Sequence, residues 1–220
     1  MERDKLLKKI DLFKDELINM RRHIHAHPEL SGLENQTAIL ISGYLKNIGG
    51  RVTESVGRTG VVADFGPKDK GFIGLRVDMD ALPIYENTNL SFSSKIDGIM
   101  HACGHDLHTC IGLGVAKIIK DLNLKFGTRI IFQPAEEIAS GARWMIDDGV
   151  TIGLKQILGV HVFPDLLVGT IGIKEGSLTA AAGELTVEIL GKSAHGARPH
   201  EGVDAIWAAS KVISGIQEAI

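Results

Sequence analysis

The stretch Thr128-Arg129-Ile130-Ile131-Phe132-Gln133, continued by Pro134-Ala135-Glu136-Glu137, decides the fold. Its short apolar centre reads as a buried strand, and a helical pattern flanks it on each side, from about Asp106 to Leu122 and from about Ala139 to Asp147. The next apolar run, Gln156 to Val162, is a second strand. Upstream, Val61–Gly66 and Phe72–Val77 are short apolar runs parted by a Gly/Pro/Lys/Asp turn, which predicts a hairpin or neighbouring strands. Strands alternating with helices predict an α/β layer architecture whose sheet is at least partly parallel.

Working outward, Leu6, Ile10, Phe13, Leu17, Met20 and Ile24 recur in steps of four and three, the spacing of one amphipathic helix stopped by Pro28. A second helical pattern runs through Ala38, Ile41, Leu45 and Ile48 to Gly49-Gly50, and a polar loop is expected from about Ile84 to Gly98. From about Ala180 the texture changes. Glu184–Leu190 alternates apolar and polar residues, predicting a strand with one face in water, and Val203–Ile220 is amphipathic with no closing cap. The expectation is therefore a truncated chain.

The chain has 220 residues, with 24 Lys+Arg against 27 Asp+Glu and a formal charge of −3, which gives no electrostatic reason to expect nucleic acid or an anionic membrane as partner. Cys103 and Cys110 are seven apart; on one helix their Cα atoms would lie ~10 Å apart, beyond disulfide reach. They read as free thiols. With a charged start and no apolar leader, a cytoplasmic location is expected.

Chemistry-bearing residues cluster in four places. Met100-His101-Ala102-Cys103-Gly104-His105-Asp106-Leu107-His108 packs three imidazoles, a thiol and a carboxylate between a loop and a helix start. Cys103 and His105 bracket a glycine and project to one side of an extended backbone, so both can reach one ion, a buried thiol beside a capping histidine being the equal alternative, and the following helix is expected to lower the thiol pKa. Adjacent glutamates are most often simply solvated, but Glu136-Glu137 sits at the carboxyl end of a buried strand, where open α/β sheets keep their sites; the two side chains are expected to diverge, so that one can hold a metal while the other faces the metal-bound water. His161 likewise ends an apolar strand. Asp78 and Asp80 share a face in Arg76-Val77-Asp78-Met79-Asp80, and either can accept the second N–H of a ligand histidine, with a structural salt bridge to Arg76 as the competing account.

Other features read blandly. His23 and His27 share a helix face, but capping and packing near Pro28 is the preferred account of that cluster. Gly112-Leu113-Gly114 lacks a glycine at position 117, where Lys117 stands, so a dinucleotide fingerprint is rejected. His195 lies in the glycine-rich run Gly191–His200, with no local clue to its role.

Six motifs in order give the chain a resemblance to the dinuclear metallohydrolases that include aminoacylases, hippurate hydrolases, auxin-conjugate amidohydrolases and, more distantly, carboxypeptidase G. They are Arg21-Arg22-His23 with His27-Pro28-Glu29-Leu30, Arg76–Pro83, His101–Asp106, Gln133–Glu137, Gly159-Val160-His161 and Gly191–His200. The resemblance is to the N-acyl-amino-acid amidohydrolase branch. It implies a three-layer α/β catalytic domain over residues 1–180, followed from about Ala181 by the start of a smaller α/β lid and dimerisation domain, 181–220.

By that likeness Cys103, His105, Glu137 and His161 are metal ligands, Glu136 is the general acid/base and Asp78 an outer support. His195 would cross a homodimer to polarise the scissile carbonyl. Two divalent ions are implied, zinc or manganese with cobalt also compatible, and the substrate is an N-acyl amino acid or small peptide, split to a carboxylic acid and a free amino acid. A dipeptidase or a non-catalytic metal-binding dimerisation module are the alternatives. The resemblance also implies a further ligand histidine beyond these residues, so the 220-residue chain alone is expected to bind metal weakly and turn over little.

Overall fold

A computed structural model describes residues 2–122, 124–179 and 185–219. They form two compact units, Met1–Asp165 and Leu166–Ile220. The first contains, in order, α1 (Glu2–Asp11), α2 (Lys14–Ala26), α3 (Asn35–Asn47), β1 (Arg51–Val56), β2 (Gly60–Phe65), β3 (Phe72–Asp78), α4 (His105–Ile119), β4 (Gly127–Gln133), α5 (Gly141–Asp147) and β5 (Leu154–Gly159). The second contains a 3-10 turn, Pro199–Glu201, and α6 (Ala205–Ala219).

The five strands make one mixed sheet in the order β1-β2-β4-β3-β5. β4 runs parallel to β3 and antiparallel to β2, and β5 is parallel to β3. β2 and β3 are thus not the expected neighbours, because β4 lies between them. Its residues are almost all buried, and a strand apolar on both faces is best covered in the middle of a sheet. The hairpin is instead β1–β2, and β1 was not visible in the sequence, since Arg51-Val52-Thr53-Glu54-Ser55 is polar and mostly exposed at the sheet edge. The single N-terminal helix expected from the sequence divides at Leu12-Phe13, where Leu12 is exposed and Phe13, a member of the apolar stripe, is buried.

Alternation along the strands fills two cores. Val61, Ala63 and Phe65 of β2, Val77 of β3 and Ile130 and Phe132 of β4 meet Ile41 and Leu45 of α3 and Leu113 and Ala116 of α4 on one face. Val62 and Ile131 meet Met145 of α5 and Val150 on the other. Helices on both faces of the sheet give three layers. Gly112 sets the spacing of α4: a Cβ there would stand 2.9 Å from Val77 Cγ2 and 3.0 Å from Phe132 Cε1. The glycines rejected as a dinucleotide fingerprint therefore serve close packing.

In the second unit, Glu184 and the expected lid boundary at Ala181 lie outside the described residues. Residues 185–190 form no strand, and Leu185, Val187 and Leu190 are exposed. A strand exists only through its ladder, and the pairing described nearby is a single bridge between Lys192 and Val203. No helix among the described residues is long and apolar enough to cross a membrane.

Phe132 is fully buried at the centre of the larger core. Phe132→Ala should lower unfolding free energy by about 3–5 kcal/mol, read from the urea midpoint at constant slope; a midpoint within error of the parent would contradict this packing.

Candidate metal centre

The parallel register places Asp78 opposite Gln133 and Arg76 opposite Gly159, so β3, β4 and β5 all discharge their chains at the same sheet edge. The segments 78–80, 134–137 and 160–162 meet there with the first turn of α4. Carboxyl ends of parallel strands are where open α/β sheets build sites. The ligand-type atoms of Cys103, His105 and His161 lie within 4.8 Å of one another, as do those of His105, Glu136 and Glu137, and those of Asp78, His105 and His108.

His105, the first residue of α4, is fully buried and central. Its Nδ1–H donates to Asp80, with Oδ1 and the backbone oxygen each at 3.0 Å. That tautomer leaves the Nε2 lone pair facing Asp78 Oδ1 at 3.6 Å, Glu137 Oε1 at 3.7 Å and Glu136 Oε2 at 3.8 Å, with no hydrogen-bond partner. Cys103 Sγ is 3.4 Å from His161 Nε2, while the His161 Nδ1–H donates to the Val162 carbonyl at 2.7 Å. Both imidazoles thus have Nδ1 committed and Nε2 presented. Asp80, rather than Asp78, takes the second N–H of His105; Asp78 is occupied by Arg76 Nη1 at 2.6 Å and by His108 Nδ1.

Residues 136–139 form a turn, so the two glutamates reach the same imidazole instead of diverging as expected. They differ in exposure, Glu136 being 40% exposed and Glu137 18%. Ala135 and Ala139 hold positive φ of 48° and 51° in this turn, a conformation costing alanine about 1–3 kcal/mol. Buried carboxylates hold the turn: Glu34 accepts the Ala135 N–H at 2.8 Å and Asp80 accepts the Glu137 N–H at 2.9 Å. Gly141 closes it, since a Cβ there would lie 1.6 Å from the Pro134 oxygen.

The cluster's electrostatics follow from crowded carboxylates. Burial, then the charges of Glu137, Glu136 and Asp78, push the Cys103 thiol up to about 12, overturning the expectation that the helix start would lower it. Burial and the nearby carboxylates of Glu136 and Asp80 also raise Glu137. For His105, burial opposes protonation, but the Asp80 hydrogen bond and the charges of Asp78, Asp80 and Glu137 outweigh it and raise its pKa. Two buried acceptors without partners, His105 Nε2 and Glu137 Oε1, point into this cluster. Nitrogen, sulfur and oxygen donors converging on one place with unmet acceptor capacity fit a divalent cation of the zinc class.

His195 belongs to the second unit and is exposed. Its Nδ1 accepts the Ala197 N–H at 3.1 Å, which leaves Nε2–H as a donor in the neutral ring. Of the first histidine cluster, His23 and His27 stack with centroids 4.5 Å apart near the helix end, while His25 is buried and bonds Asp106 Oδ2 at 2.8 Å and Glu86 Oε1 at 3.2 Å. Asp106 also accepts from Arg21 at 2.6 Å, so α2 is pinned to the start of α4 beside the cluster. In the sequence His108 stands out only as one imidazole of the Met100–His108 run, and Glu34 not at all; His108 bonds Asp78 and Val162, 30 and 54 residues away, while Glu34 joins nearby Gly32 to Thr59 and Ala135, 25 and 101 residues away.

Three comparisons bear on this arrangement. The model of peptidase family M20/M25/M40 matches residues 74–219. A "probable hydrolase" of Synechocystis sp. is 52% identical over 208 residues, covering 93% of this chain and 53% of that protein. An N-acetylcysteine deacetylase of Bacillus subtilis is 46% identical over 212 residues, 94% of this chain and 56% of that protein. The crystal structure of a B. subtilis protein described as a dinuclear metal-binding peptidase of the M20 family superposes with TM-score 0.72 at 48% identity, over 76% of this chain and 48% of that one. The chain spans about half the length of these relatives.

The hydrogen bond that His25 donates to Asp106 raises the His25 pKa, opposed by burial and aided by Glu86. A folded value above the unfolded one, about 6.5, means that the protonated ring stabilises the fold fully below about pH 6.5 and that this contribution is lost as pH rises through the folded value. The stability difference between the parent and His25→Gln should therefore be larger at about pH 5.5 than at about pH 8.5, measured by urea titration at both. An equal difference would disprove this coupling.

Proposed function

The chain belongs to peptidase family M20/M25/M40, and from that premise we propose that it carries the metal-holding and proton-transferring half of an amidohydrolase that splits N-acyl amino acids into a carboxylic acid and a free amino acid. The observation that carries this reading is the unpartnered, fully buried Nε2 of His105, facing two glutamates and next to the Cys103–His161 pair. Cys103, His105, Glu137 and His161 would hold the ions. Two divalent ions, of zinc or manganese with cobalt fitting the same donors, would polarise the amide carbonyl and acidify water at the site.

Glu136 is the proposed proton carrier. It is more exposed than Glu137 yet stays within 3.8 Å of the same imidazole, so its carboxylate can take a proton from the attacking water and return it to the leaving amine. Asp80 fixes the His105 ring and the Glu137 backbone together. Asp78 keeps its supporting place through His108. In the whole protein, residues 181–220 would open a lid that pairs two copies, and the His195 Nε2–H would reach across to stabilise the oxyanion. The name of the B. subtilis deacetylase supports an acyl amino acid over a dipeptide, and the dinuclear description of the B. subtilis neighbour supports two ions. Two free cysteines suit a cytoplasmic enzyme.

The test compares an N-acetyl amino acid, hippurate and a dipeptide in the whole protein, with metal content measured alongside. Faster release from the acyl compounds is expected, and Glu136→Gln should cut turnover by roughly 10²–10⁴-fold with bound metal unchanged. Undiminished turnover in that variant would remove Glu136 from the reaction, and preference for the dipeptide would make the enzyme a dipeptidase.

A further inference from the structure

α4 carries a second fully buried histidine, His108, three positions after His105, with ring centroids 5.4 Å apart. Its hydrogen bonds run in one direction. Arg76 Nη1 donates to Asp78 Oδ2 at 2.6 Å, and Asp78 Oδ1 takes the Nδ1–H of His108. With that proton committed, His108 Nε2 is an acceptor, and it receives the backbone N–H of Val162 at 2.9 Å. Val162 in turn gives its carbonyl to the Nδ1–H of His161, whose Nε2 faces Cys103. The two imidazoles meet edge to face with centroids 4.7 Å apart.

The need for such an anchor is local. β5 ends at Gly159, so His161 and Val162 lie beyond the strand and its ladder, and the Val162 N–H goes to a side chain instead of a carbonyl. Room for the segment is made at the helix start: a Cβ on Gly104, which sits at φ +89°, would meet Val162 Cγ2 at 2.6 Å. We propose that His108 is a positioning residue whose Nε2, held as an acceptor by Asp78, fixes the loop through the Val162 N–H and so aims the His161 imidazole at the ion next to Cys103. This rests on the reading of Cys103, His105, Glu137 and His161 as metal ligands.

Two substitutions separate the contacts. His108→Asn keeps a donor near the Nδ1 position for Asp78 but cannot reach Val162, whereas His108→Gln places an amide oxygen near the Nε2 position. Cobalt(II) is titrated into the whole protein, with thiolate-to-cobalt charge-transfer absorption reporting Cys103 and elemental analysis counting ions. The Asn variant should bind one ion about 10–100-fold more weakly, with a weakened charge-transfer band and the other ion little changed, while the Gln variant should stay within a few-fold of the parent. Equal affinity in the parent and the Asn variant, or equal losses in both variants, would overturn the proposal. Histidine nitrogen NMR of the unsubstituted chain adds a check independent of how the variants fold: a proton on Nδ1 of His108 is expected, and a proton on Nε2 would refute the assignment. A parent that binds no cobalt would instead defeat the metal-centre reading itself.

Discussion

Asp80 is the residue on which the site's geometry depends. A carboxylate 1% exposed must have its lone pairs met by donors, and the donors here come from distant parts of the chain: Nδ1 of His105, the Ser31 hydroxyl at 2.6 Å and the Glu137 backbone N–H at 2.9 Å. Hydrogen bonds to a charged acceptor contribute about 1.5–3 kcal/mol each, and an unmet one inside the protein costs comparably. One side chain therefore locks the helix that opens with His105, the turn that bears the glutamates and the loop that leads into α3. A mixed sheet makes this possible, because parallel β3, β4 and β5 bring their carboxyl ends to one end of the sheet, while the turn between β1 and antiparallel β2 supplies the Thr59 hydroxyl to Glu34 at 2.5 Å.

Much of the fold could be read from local pattern. β4 and β5 were legible as short apolar runs, β3 as the run that ends in Arg76-Val77-Asp78, and α4 as a periodic stretch after a dense polar motif. What local pattern misses is nonlocal or edge-like. Nothing in Val61–Gly66 or Phe72–Val77 says that a strand starting at residue 127 separates them, since a strand buried on both faces chooses its place by burial and not by sequence neighbourhood. β1 is polar because an edge strand needs few apolar contacts, and polarity hides it.

The site divides along the same line. Cys103, His105, Glu136, Glu137 and His161 could be singled out because unusual residue types sit at strand ends or helix starts, and the fold brings their reactive atoms into one cluster. The residues that hold them were harder to see. Asp78 and Asp80 look equivalent in sequence, yet Asp78 is the last residue of β3 and Asp80 lies two beyond it, so only the latter reaches both His105 Nδ1 and the turn after β4. Glu34 and His108 are buried polar groups whose structural roles depend on partners far along the chain, Ala135 for Glu34 and Val162 for His108, and local pattern does not reveal those roles even where, as for His108, the residue sits in a conspicuous run.

The charge inventory explains why support and chemistry share one place. Asp78, Asp80, Glu136 and Glu137 surround an imidazole and a thiol, and Arg76 on Asp78 is the guanidinium hydrogen-bonded within that group. Burial, and then this crowding, raises the thiol to about 12 and raises Glu137, so the cluster resists adding negative charge. A divalent cation reverses each of these penalties at once, because it stabilises thiolate and carboxylate and takes the lone pair of an imidazole that has no other partner. The same crowding would drive the turn apart if its backbone were free. Glu34 and Asp80 prevent this by using carboxylate acceptors on the N–H groups of Ala135 and Glu137, which holds strained Ala135 in place and keeps Glu136 beside His105.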